Sequence, residues 1–196
     1  LVFSMQHNDT HNPQEPAATT HPPSLIILPF KNMNNDPQQA YFSQGITDDL
    51  ITDLSGYPGI EVISSRIAFQ YNAADLDLKE LGNQLDVQYV VVGNIRRTAK
   101  QIRINVQMID AQRGTNLWAV QYNRPLTSLF DIQDEVRSGI VSALSVKLTE
   151  VEKKKTQKRY TNSYQAYDLF LQGQNNLIKR ASAIDNQQAR ELFEKA

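Results

Sequence analysis

Polar and apolar positions alternate most regularly between Val87 and Tyr122. Ile102, Ile104, Val106 and Met108 are interleaved with Arg103, Asn105 and Gln107, the period of two expected of a strand with one buried face. Trp118, Val120 and Tyr122 repeat that period in a following strand. Tyr89 to Val92 is an unbroken apolar run, as in a strand covered on both faces. Turns at Thr98–Gln101 and Asp110–Gly114 join the three strands, and Gly114 is expected at positive φ.

Upstream, Leu25–Phe30 predicts a buried first strand, followed by a polar loop over Lys31–Gln39. From Tyr41 to Ser55 the period lengthens. Phe42, Ile46, Leu50 and Leu54, with Ile51 beside them, form the apolar stripe of a helix. Gly45 within it costs roughly 1 kcal/mol relative to alanine and marks a close-packing position. Tyr57-Pro58-Gly59 ends the helix, and Ile60–Ser64 predicts a second strand, parallel to the first through a right-handed crossover. A loop over Ser65–Ala74 carries Phe69 and Tyr71. Asp77 and Glu80 then have the spacing of a capping box for a helix bearing Leu78, Leu81 and Leu85. Ser128 and Asp131 open a long helix with Leu129, Ile132, Val136, Ile140, Leu144 and Leu148 on one face.

These elements specify an α/β fold: a mixed sheet in the order β-α-β-α-β-β-β-α, packed by helices, over residues 24–150. Residues 1–23, rich in Pro, Thr, Asn and Gln, read as a disordered linker. Residues 151–162 (containing EKKKTQKRY) form a charged hinge. Residues 163–196 return to helical spacing in two segments, Ser163–Ile178 and Asp185–Ala196.

Composition narrows the function. The chain has 196 residues, 40% of them hydrophobic, with a formal net charge of −1 and no cysteine. Near-neutral charge argues against nucleic-acid binding by this chain. The lack of cysteine excludes disulfides, thiolate nucleophiles and cysteine metal sites. All three histidines (His7, His11 and His21) fall in the linker, so histidine acid–base chemistry is absent from the folded body. His7 and His11 are four apart, but a floppy segment would lose too much entropy to hold a metal. There is no phosphate loop, G-x-G-x-x-G or G-x-S-x-G, and no cofactor is expected. Asp49 and Asp53 share a helix face but flank the apolar stripe, the place of a solvated face. Asp48, Arg66 and Tyr71 are the candidate ligand-binding residues, set where loops follow the carboxyl ends of the first two strands.

Three segments together resemble a known bacterial module. Leu25–Ser55 (LIILPFKNMNNDPQQAYFSQGITDDLITDLS), Val87–Arg97 (VQYVVVGNIRR) and Met108–Arg124 (MIDAQRGTNLWAVQYNR) are similar, in order and spacing, to the module related to the amino-terminal domain of TolB. Arg113 and Asn123 depart from it, where threonine and aspartate are usual. Gly173, Ala189, Phe193 and Ala196 resemble a tetratricopeptide-repeat signature, with an inter-helix turn over Lys179–Asn186 longer than standard. The resemblance implies a non-catalytic regulatory or scaffold module of a signalling protein, whose effector is an adenylate or guanylate cyclase or a winged-helix regulator. It further implies protein partners captured by the repeats. The alternative is a small-molecule sensor using the Asp48, Arg66 and Tyr71 cleft. No stretch reaches the roughly 18 apolar residues of a membrane span. Leu1-Val2-Phe3 admit two readings, the end of a preceding membrane helix or an arbitrary boundary; the first would put the module on the periplasmic side of the inner membrane, with a cytoplasmic location and a dimeric state left open.

Overall fold

The structure is a computed structural model that describes residues 22–34, 36–73, 76–144, 161–179 and 183–196. The expected linker and charged hinge lie almost wholly outside the described residues, as do all three histidines. The elements are β1 (Ser24–Ile27), β2 (Lys31–Asn32), α1 (Ala40–Ser55), β3 (Glu61–Val62), α2 (Ser65–Ala68), α3 (Leu78–Leu85), β4 (Tyr89–Arg97), β5 (Gln101–Asp110), β6 (Thr115–Pro125), α4 (Leu129–Ala143), α5 (Tyr164–Lys179) and α6 (Ala183–Lys195).

The strands form one mixed sheet in the order β3-β1-β4-β5-β6, with β2 also paired to β4. β1 runs parallel to both β3 and β4, whereas β4, β5 and β6 are antiparallel neighbours. The expected first strand stops at Ile27, ahead of Pro29, which has no N–H to give the ladder, and Lys31–Asn32 of the expected loop form the short strand β2. After that break Asn34 imitates a strand residue. Its Oδ1 accepts from Arg97 N at 3.0 Å and its Nδ2 donates to Arg97 O at 2.6 Å. The expected loop after β3 begins with the short helix α2, and the strand expected over Ile60–Ser64 is trimmed to Glu61–Val62.

Leu25, Ile26, Ile27 and Leu28 have no exposed surface, each burial contributing about 1.5–3 kcal/mol. Ile102, Ile104, Val106 and Met108 lie on the face of β5 that α4 packs against and are at most 1% exposed. Thr47 is a buried polar exception with both bonds made: its hydroxyl donates to Ser43 O and accepts from Phe30 N. Asp77 caps α3 by accepting from the backbone N–H groups of Lys79 and Glu80. Ser128 makes no side-chain cap; a 3-10 turn over Leu126–Ser128 leads into α4 instead. Gly114 takes φ +67°, as its turn requires. Trp118 lies against Gly139 of α4, where an added Cβ would stand 2.3 Å from the indole.

Helices α5 and α6 form a hairpin that packs onto the α/β layer through α1. α6 starts at Ala183, so the inter-helix turn is shorter than the expected Lys179–Asn186 segment. Alanine is the best helix former and extends α6 backwards.

Candidate functional site

The polar chemistry concentrates where α5 meets α1 and α4. Arg97 ends β4 on the helix-facing side, the same side as Ile95. Its Nη1 donates to Asp168 Oδ1 of α5 at 2.7 Å, with the two side chains only 15% and 18% exposed. The Tyr41 hydroxyl of α1 donates to the same carboxylate oxygen at 2.9 Å. The guanidinium also lies over the Phe42 ring at 4.4 Å and near the Tyr164 ring at 5.9 Å. One cation thus joins sheet, first helix and hairpin. Burial works to lower the Arg97 pKa, but the hydrogen bond and charge of Asp168 outweigh it and leave it raised. The Tyr41 hydroxyl is raised by burial and by Asp168, and that of Tyr164 is pushed up to about 12, chiefly by burial.

A second contact lies along α1. The Tyr167 hydroxyl donates to Asp49 Oδ2, and Gln133 Nε2 of α4 approaches the same oxygen at 3.4 Å. Burial raises the Asp49 carboxyl above its ordinary value, against the hydrogen bonds of Tyr167 and Gln133, which lower it; Asp53 and Asp48 add to the rise. Tyr167 is raised well above the tyrosine range, by burial first. The Phe130 and Tyr167 rings meet edge to face at 5.4 Å. Arg137 of α4, only 7% exposed, bonds Asp53 at 3.1 Å and Asp134 at 2.8 Å. Between these groups lies a cavity of about 610 Å³, bordered by Asp49, Asp53, Gln133, Arg137, Tyr167 and Phe170.

Asp49 and Asp53 therefore do not form the solvated face expected of them. Asp49 lines a helix–helix seam because Tyr167 of α5 covers it, and Asp53, its side chain still 39% exposed, is held by Arg137 of α4. Gly45 is the matching steric feature: a Cβ there would stand 2.4 Å from Leu171 Cδ2, so its absence lets α5 approach. Asp48 and Arg66 are exposed and Tyr71 is half-buried against the core; none of the three borders the cavity. Of the repeat-like residues, Gly173 abuts the Phe193 ring and Ala189 is fully buried, whereas Ala196 is exposed at the cavity rim. The sequence reading missed Arg97, Asp168, Tyr41 and Tyr167. A signal existed for Arg97 alone, since an arginine in the inward register of a strand requires a partner. Among the described residues, no group of three His, Asp or Glu is placed to hold a metal ion, and no helix is long and apolar enough to cross a membrane.

Residues 20–138 match the family described as HilA/YgeH-like transcriptional regulator, second domain. The chain belongs to this family. The matched region of the HilA/YgeH-like domain ends within α4, so α5 and α6 lie beyond it. A protein named putative adenylate cyclase 3, from Rhizobium meliloti (strain 1021), is 42% identical over 181 residues. That match takes in 92% of this chain but only 30% of the relative, so the chain spans less than a third of the relative's length. It leaves out so little of this chain that it reaches through α5. Among solved structures, TolB from Acinetobacter baumannii is similar with a TM-score of 0.48 at 22% identity, over 63% of this chain and 28% of TolB. The C-terminal domain of LpoB from Salmonella enterica gives 0.42 at 14% identity, over 55% of this chain and 85% of that one. Both are loose likenesses at low identity.

Proposed function

We propose that this HilA/YgeH-like domain is a non-catalytic regulatory module of a multidomain bacterial signalling protein, and that it holds the first hairpin of a helical repeat array in a set orientation. Family membership supports a regulatory role, and the name of the Rhizobium relative supports an association with a nucleotide cyclase. The observation that carries the reading is the Arg97–Asp168–Tyr41 clamp, which ties α5 to both the sheet and α1. The Gly173–Phe193 contact and the buried Ala189 support a tetratricopeptide-like hairpin. Leu177 is 41% exposed and Ile178 80%, an apolar end that a following hairpin or a protein partner would cover.

The test is an exchange. This chain replaces the matching segment of the Rhizobium protein, and cyclic AMP is measured in cells lacking their own cyclase. The reading expects the exchanged protein to respond to its signal and Asp168→Ala to alter that response. Identical cyclic AMP levels in both would overturn it, as would nucleotide turnover by this chain alone. Under the same reading the module lies on the periplasmic side of the inner membrane, and a phosphatase inserted after Ala196 in the full-length protein is active there; an inactive fusion argues for the cytoplasm.

A second reading is a small-molecule sensor at Asp48, Arg66 and Tyr71. It is favoured by the exposure of Arg66 just beyond the carboxyl end of β3. A metabolite that raises the melting temperature of the wild type but not of Arg66→Ala supports it. A broad library without such a metabolite counts against it.

A further inference from the structure

The sheet has a second face, which α1, α4 and α5 do not cover. On β4, β5 and β6 the part of this face around the end of β4 carries aligned rows of polar side chains, and towards the start of β4 it turns apolar, with Val92 opposite Gln107 and Val90 opposite Ile109. Arg96 lies directly opposite Arg103, which lies opposite Asn123. The next row runs Lys31, Asn94, Asn105 and Gln121 across four strands, and the row of Val92, Gln107 and Ala119 follows. Arg96, Arg103, Lys31, Gln107, Gln121 and Asn123 are all exposed. Asn105 Nδ2 donates to Asn94 Oδ1 at 2.8 Å, so these two amides are held in place.

Among the described residues the charge on this face is uncompensated. Cross-strand neighbours stand about 5 Å apart at Cβ, and like charges placed so destabilise a sheet. Neither Arg96 nor Arg103 has an ion pair among the described residues, and no aspartate or glutamate occupies these rows. The helix-covered side is the opposite case. There Arg97 has Asp168, Arg124 has Glu135 at 2.6 Å, and Arg137 has Asp53.

We propose that this open face is a docking surface for an acidic, extended protein segment, with Arg96 and Arg103 together gripping its carboxylates and Lys31 with the amide rows setting its register. Guanidinium groups bind carboxylates through paired N–H donors, and the amides supply neutral hydrogen bonds on either side. The face has no aromatic ring on which a nucleic-acid base would stack; Trp118 and Tyr122 both point to the helix side. Its apolar residues lie beyond the arginine and amide rows, and of the large ones Leu117 alone is exposed among the described residues, too little to enter a lipid surface. A second copy meeting it face to face would set arginine against arginine, which leaves an acidic partner.

The experiment measures binding of the full chain, at low salt, to a fluorescent peptide that alternates glutamate and threonine, which puts all the carboxylates on one side of an extended chain. The control peptide alternates glutamine and threonine. The proposal expects saturable, salt-sensitive binding of the glutamate peptide only. Arg96→Gln/Arg103→Gln should weaken it at least about tenfold with no loss of melting temperature. Arg96→Lys/Arg103→Lys keeps the charge and the fold but loses the paired donors, and should bind between the two. Absence of binding, equal binding by the glutamine variant, or preference for a single-stranded oligonucleotide or phosphatidylglycerol vesicles would each overturn the proposal.

Discussion

Asp168→Ala removes the carboxylate that neutralises Arg97 and accepts from Tyr41. A fully buried cation that loses its partner costs about 3–5 kcal/mol, whereas an exposed pair contributes about 0–1 kcal/mol. At 15% and 18% exposure this pair lies nearer the buried limit, so a cost of about 2–3 kcal/mol is expected. That cost falls on the docking of α5 and α6, because the partners of Asp168 outside its own helix lie on β4 and α1. A loss of 2 kcal/mol shifts the docking equilibrium about thirtyfold. Hydrogen exchange reads this directly. Amides of α5 should lose protection by about that factor, while those of β5, in the centre of the sheet, stay near wild type. Arg97→Met in the same background removes the stranded charge and should recover about 1 kcal/mol or more. Equal loss of protection in α5 and β5, or none in α5, would refute the reasoning, since the hairpin would then not be an independently docked unit.

The seam also titrates. The native state holds the Asp49 proton more tightly than the unfolded chain, so this group's contribution is complete below about pH 4 and is lost as pH rises through the raised native pKa. Asn at this position keeps an acceptor for Tyr167 and cannot ionise. The stability of the wild type minus that of Asp49→Asn, from urea midpoints, should therefore fall between about pH 4 and neutrality; a flat or rising difference contradicts the assignment. Tyr41, Tyr164 and Tyr167 are likewise raised, so the seam should weaken as pH climbs above about 10, and part of the tyrosinate absorbance of the eight tyrosines should appear late; one titration at the ordinary tyrosine value argues against it. Leu171→Ala opens the space in front of Gly45 at a cost of about 2–5 kcal/mol. Adding Gly45→Ala should then recover about 1 kcal/mol of helix propensity, although the same change in the wild type meets the leucine and destabilises; thermal melts of the four proteins decide it.

Much of the fold was legible because its signals are local. The period of two in β5, the proline that ends β1, the aspartate that caps α3 and the glycine of the β5–β6 turn each state their conformation within a few residues. The seam was not legible, because Asp49 meets Tyr167 from 118 positions away and Tyr41 meets Asp168 from 127. Beside an apolar stripe, a carboxylate facing water and one facing another helix have the same spacing. Gly45 came nearest to revealing the contact. Its cost in a helix pointed to close packing, but not to Leu171 as the neighbour. Gly139 carries the same cost inside α4, but nothing in α4 names Trp118 as the side chain it meets.

The central claim is that the hairpin is held against α1, and a distance measurement tests it most directly. The chain has no native cysteine, so Gln44→Cys on α1 and Gln165→Cys on α5, both at exposed positions, carry spin labels without interference. One narrow distance distribution is expected in the wild-type background and a broad one when Asp168→Ala is added. A broad distribution in the wild-type background, unchanged by Asp168→Ala, would contradict it.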